Sequence, residues 1–172
     1  MNKCKILGLL LAAIIGLMGF NELTFAAGFV PPAWSQKLPA SARFKLVLNN
    51  AAVLDKETGL VWEKSPDTTL RTWNDAVYYA YSKNVGGRKG WRLPTVEELA
   101  SLVDPTQSSP ALPIGHPFTN VQSNRYWPST TTVVNTDIVW DVDFNSGNVY
   151  SSVKSANNYV WCVRGGQGYD AP

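Results

Sequence analysis

From Arg43 onward the order of polar and apolar positions can be read as a series of elements. Arg43-Phe44-Lys45-Leu46-Val47-Leu48 alternates, the period of a strand with one face covered. Val53-Leu54 and Leu60-Val61-Trp62 flank the polar turn Asp55-Lys56-Glu57-Thr58-Gly59, which predicts a hairpin. The period then changes. Trp73, Ala76, Val77 and Ala80 repeat at helical spacing behind Thr72, an N-cap residue with Asp75 three positions on. Gly86-Gly87 is the expected end of that helix. Thr95 and Glu98 form a second capping signature before Val96, Leu99 and Leu102-Val103. Asp104-Pro105 stops this shorter helix, because a residue preceding proline is driven out of helical geometry.

Residues 104–124 hold four prolines and little periodicity, the mark of a long loop. Strand patterns return at Tyr126-Trp127, at 138–144 and at 149–153. The last two flank the hairpin turn Asn145-Ser146-Gly147-Asn148. Tyr159 to Arg164 reads as a closing strand. Strands, two helices, a long loop and further strands predict an α+β domain rather than alternating βαβ units. Trp62, Trp73, Trp140 and Trp161 occupy helix or strand positions expected to face the core. Trp127 and Trp34 are not fixed by any pattern.

The first residues change the picture of where the domain works. A basic Met1-to-Lys5 start, an apolar run of 15 residues from Ile6 to Phe20, and Ala26-Ala27-Gly28 follow the order of a secretory signal. The run is shorter than the roughly 20 residues of a membrane-spanning helix, though a retained anchor is the competing reading. Cys4 precedes the apolar run, so it does not mark a lipoprotein cleavage point. The expected layout is a signal peptide over 1–26, an arm over 27–42, a domain over 43–168 and a tail over 169–172. The mature protein is then extracytoplasmic, with no membrane span.

Charge and cysteine count narrow the function. Of 15 basic and 13 acidic side chains, Lys3, Lys5 and Glu22 fall in the signal segment, leaving 13 and 12, a net charge of +1. Such a balance produces no field suited to nucleic acid. Cys162 alone remains after cleavage, inside the apolar run Tyr159-Val160-Trp161-Cys162-Val163, and is expected to be a buried thiol.

Five motifs carry a resemblance. Thr58-Gly59-Leu60-Val61-Trp62 is followed by Thr72-Trp73-Asn74-Asp75-Ala76 and by Gly90-Trp91-Arg92-Leu93-Pro94-Thr95 before Glu97-Glu98-Leu99. Tyr126-Trp127-Pro128-Ser129-Thr130 and Cys162-Val163-Arg164-Gly165 complete the order. The chain resembles the Lcl C-terminal domain family, named after the terminal domain of a bacterial collagen-like adhesin, from about Val53 to Gly166. The resemblance implies a C-type-lectin-like fold, two short helices packed on antiparallel strands with a long loop region. The namesake adhesin is linked to sulfated glycosaminoglycans and surface attachment; its Gly-X-Y repeat has no counterpart here.

Candidate chemistry points to recognition rather than catalysis. No metal site, cofactor or catalytic centre is expected. His116 is the single histidine, without the partners that zinc or a nucleophile would need, and is expected to hold an ordinary hydrogen bond in its loop. Trp73-Asn74-Asp75 spells a lectin calcium motif but falls within a helix, which spreads the two oxygen-bearing side chains apart. Asp141, Asp143 and Asn145 alternate along a strand and could share one oxygen-lined face. The simpler account is a solvated face opposite Trp140, Val142 and Phe144. Lys83, Arg88 and Lys89, flanked by Arg71 and Arg92, form a basic glycine-containing loop that could hold sulfate or carboxylate. The candidate ligand residues are therefore Arg71, Lys83, Arg88, Lys89 and Trp127. The expected partner is a glycan, or alternatively a cell-surface protein docked through the loops of an assembly subunit. Oligomeric state is left open.

Overall fold

The computed structural model describes residues 38–165. The expected signal segment, most of the arm with Trp34, and the C-terminal tail lie outside the described residues. Within them the chain is a mixed α+β unit of two sheets and three short helices.

A one-turn helix, α1 (Ala40–Arg43), leads into β1 (Phe44–Val47), β2 (Ala52–Asp55) and β3 (Leu60–Glu63). With the last strand, β9 (Val163–Gly165), these form an antiparallel sheet in the order β1-β2-β3-β9. The predicted 53–62 hairpin is present, closed by Gly59 at φ 73°. The alternation expected from Arg43 to Leu48 holds only in part. Arg43 ends α1, and its guanidinium is buried in a two-pronged pair with Asp55 at 2.9 and 2.6 Å. Leu46 is exposed because β1 is a sheet edge. The chain then turns away through Leu48, Asn49 and Asn50, all at positive φ.

The second sheet has the order β4-β8-β5-β6-β7, made from β4 (Asp67–Arg71), β5 (Arg125–Tyr126), β6 (Ile138–Asp143), β7 (Asn148–Val153) and β8 (Asn158–Val160). All its pairs are antiparallel except β5 with β8. The closing segment expected as one strand is two: β8 lies in the five-stranded sheet, Trp161-Cys162 cross between the layers, and β9 completes the four-stranded one. Both crossing side chains are consequently buried.

Helix α2 (Trp73–Ser82) begins at Thr72, whose hydroxyl accepts from the Asp75 N–H. It ends four residues before Gly86, because Lys83 turns into extended backbone and reaches Glu63. Gly86 itself, at φ 59°, seats a tight turn against the connection between β1 and β2: a Cβ there would lie 2.6 Å from that of Leu48. Helix α3 (Val96–Ala100) carries the predicted capping box between Thr95 and Glu98. The long loop from 101 to 124 is present and pinned rather than loose. Ala111 N–H donates to Phe144 O at 2.7 Å and Thr119 N–H to Lys64 O at 2.9 Å, while Leu112 and Phe118 are buried.

Two apolar layers result. Trp62, Phe118, Tyr126 and Phe144 surround Trp161, with ring centroids 4.9 to 5.8 Å from it and mostly edge-on or tilted, the arrangement aromatic quadrupoles favour. Beneath α2, Trp91, Trp127, Val139, Val160 and Cys162 fill the second.

Candidate functional site

The basic loop does not converge as its sequence suggested. Arg71 pairs with Asp67 at 2.6 Å and lies 3.7 Å over the Tyr79 ring. Lys83 pairs with Glu63 at 2.5 Å and sits 4.4 Å above the same ring. Burial alone would lower the Lys83 pKa, but the Glu63 carboxylate and Tyr79 hydroxyl raise it, so the ammonium stays charged toward its own partners. Arg92 grips Glu98 with both terminal nitrogens at 2.7 and 2.8 Å. Arg88 and Lys89 are left exposed at the turn, with no ion pair to a described residue. Two of the four candidate cations are thus already compensated inside the fold.

Trp127 is not a ligand platform. It is fully buried, and its indole N–H donates 2.8 Å to Arg71 O. The pattern left it unassigned because its cover is α2, which arrives from fifty residues earlier in the chain. Trp140 is the reverse case. Expected in the core, it is 38% exposed.

Trp140 forms one wall of an open groove of about 360 Å³, lined also by Val96, Glu97, Ala100, Thr130 and Val149. The strand register explains it. Ile138, Trp140 and Val142 point to one face of β6, and their opposites Val153, Ser151 and Val149 share that face on β7. α3 covers only the end holding Val142, since it is five residues long. The rest of an apolar stripe stays open beside Glu97, itself exposed in the first turn of α3.

The Lcl C-terminal domain matches residues 51–164, about two-thirds of the chain. The chain belongs to that family. The matched span of this Lcl domain begins just before β2 and ends within β9. It holds the groove, the basic turn and the five-stranded sheet, and leaves β1 of the four-stranded sheet outside. No curated protein matches the chain.

The remaining candidates in this Lcl domain have ordinary work. Asp141 is not on a solvated face: it is wholly buried, accepts from Ser152 Oγ at 2.7 Å and faces Arg125 Nε at 3.7 Å. Burial raises its pKa against both contacts. Asp143 accepts from Asn145 N–H and Ser146 Oγ and so shapes the hairpin turn. His116 does not make the expected hydrogen bond at Nδ1; it stacks on Phe118 at 5.9 Å, and burial lowers its pKa. Cys162 is a buried free thiol, pushed up by burial and then by Glu63 beside it. Among the described residues no group of three His, Cys, Asp or Glu side chains is placed to hold a metal ion, and no helix is long and apolar enough to cross a membrane.

Proposed function

We propose that this chain is an exported, non-enzymatic recognition domain with a C-type-lectin-like fold, taking a neutral glycan in the groove beside Trp140. The supporting observation is the exposed indole itself. A large aromatic ring left open beside an apolar floor offers a face for the C–H side of a sugar ring. Glu97 and Thr130 at the rim supply an acceptor and a hydroxyl for sugar hydroxyls. A carboxylate at that rim disfavours a sulfated sugar by like-charge repulsion. Family membership and the signal-like N-terminus support the extracytoplasmic setting.

A glycan array probed with the protein, with and without calcium, tests the reading. Trp140→Ala should weaken the strongest neutral-glycan signal at least about tenfold, or about 1.4 kcal/mol. Undiminished binding by that variant would remove the groove as the site. A second reading is favoured by Arg88 and Lys89, the exposed cations of the basic turn. If they hold sulfated glycans instead, Arg88→Ala with Lys89→Ala should abolish retention on heparin, and salt should weaken it steeply. Passage of the wild-type protein through heparin resin at low salt removes that version.

A further inference from the structure

Each sheet has two edges, and three of the four are guarded. β1 carries Lys45 and runs into the left-handed residues 48–50. β4 carries Asp67 and Arg71 and pairs irregularly with β8. β9 is capped by Arg92, which exchanges two backbone hydrogen bonds with Val163 at 2.9 and 3.0 Å. Charges, irregular pairing and covering segments are the usual means by which sheets avoid edge-to-edge association. β7 has none of them. Asn148-Val149-Tyr150-Ser151-Ser152-Val153 is six residues long, uncharged, regularly paired to β6 and exposed along most of its length.

The ladder shows which of its backbone groups are unspent. Lys154 N–H donates to Asp137 O, so the bonded pairs are 139 with 152, 141 with 150 and 143 with 148. Val149, Ser151 and Val153 therefore turn their N–H and C=O groups outward. Only the Val153 carbonyl has another described partner, the N–H of Ala156.

We infer that β7 pairs with β7 of a second copy, antiparallel about a two-fold axis at Ser151. This is the register that sets all three outward residues of one copy against outward residues of the other while both copies keep the same face up. Ser151 faces its own copy, and Val149 faces Val153. Four backbone hydrogen bonds form without disturbing the Ala156 turn: two between the Ser151 residues and two from Val153 N–H to Val149 C=O. The occupant is a second copy rather than a foreign strand because the edge complements itself. Valine meets valine on the face of the apolar stripe, Tyr150 meets Ser152 on the other, and no like charges are opposed. Lys154, just past the strand, faces Asn148 and is held over Trp73 at 4.4 Å. Two five-stranded sheets become one of ten, with two Trp140 grooves open on the same face. The pairing stands on backbone geometry and does not depend on what those grooves bind.

Sedimentation of the full chain, as its producing cell processes it, tests the inference. The wild type should sediment as a dimer at high concentration and dissociate on dilution. Ser151→Lys places two ammonium groups across the axis and should shift the protein to monomer with its circular dichroism unchanged. Ser151→Pro removes an outward N–H that β6 does not use and should do the same. Ser151→Cys should form a disulfide-linked dimer under mild oxidation, whereas Lys45→Cys, on the guarded edge β1, should not. A wild-type monomer at the highest attainable concentration overturns the inference. So does a dimer that survives both Ser151→Lys and Ser151→Pro, or Ser151→Cys cross-linking no faster than Lys45→Cys.

Discussion

Trp127 and Trp140 lie on neighbouring strands of one sheet or its immediate continuation, yet one is sealed and the other open. Trp127 faces the α2 side, where a ten-residue helix covers it and Arg71 O takes its indole N–H. Trp140 faces the α3 side, where a five-residue helix stops short of it. Strand alternation groups side chains into two faces; the length of the helix on each face decides which residues stay dry. A buried Asp141 directly beside an exposed Trp140 is the plainest sign of that rule here.

The sharpest way to break the comparison is to truncate each indole. Trp127→Ala should cost about 3–5 kcal/mol, through a cavity and an unpaired carbonyl, and lower the midpoint of thermal unfolding accordingly. Trp140→Ala should cost under about 2 kcal/mol while weakening the proposed glycan binding at least about tenfold. Equal losses of stability would mean that the two environments do not differ. A smaller effect probes the sealed side. Cys162→Ser should cost about 1–3 kcal/mol by exchanging a buried sulfur for a more strongly hydrated hydroxyl. The wild-type thiol should resist alkylation until the protein unfolds; rapid native labelling would open that layer.

The smallest effect concerns Asp141 and is read as a slope. Its carboxyl is raised above the ordinary 3.8 by burial. Its contribution to stability is thus full below the unfolded value and lost as pH rises through the folded one. Asp141→Asn removes that titration, so the variant should gain on the wild type from acid to neutral pH in denaturant unfolding. A variant that loses ground to the wild type over that range contradicts the assignment.

How much was legible in the sequence follows from how local each cause is. The Thr95–Glu98 box and the turn before Asn148 are fixed by side chains within four residues, and both were readable. Gly147, at φ 78°, is readable as a turn residue but not as a contact: a Cβ there would meet Val103 Cγ1 at 2.8 Å. β4 escaped because Asp67-Thr68-Thr69-Leu70-Arg71 has no apolar alternation and is ordered by its partner β8. The basic loop was misjudged for a similar reason. Lys83 finds Glu63 twenty residues back, an acceptor that no inspection of residues 76–96 contains.

The row of residues across the four-stranded sheet has a mechanical consequence. Phe44 stands opposite Asp55, Leu54 opposite Val61, and Leu60 opposite Gly165. β1 is therefore entered, and β9 left, at the same end of the sheet, three strand spacings or about 14 Å apart. Tethers at those two points would leave from one side, with the opposite end of the sheet facing away from the anchor. Tension between them would act across the strands and open the β3–β9 ladder one rung after another, instead of loading every rung together. A domain held this way yields at low force, and it needs only a short linker on either side.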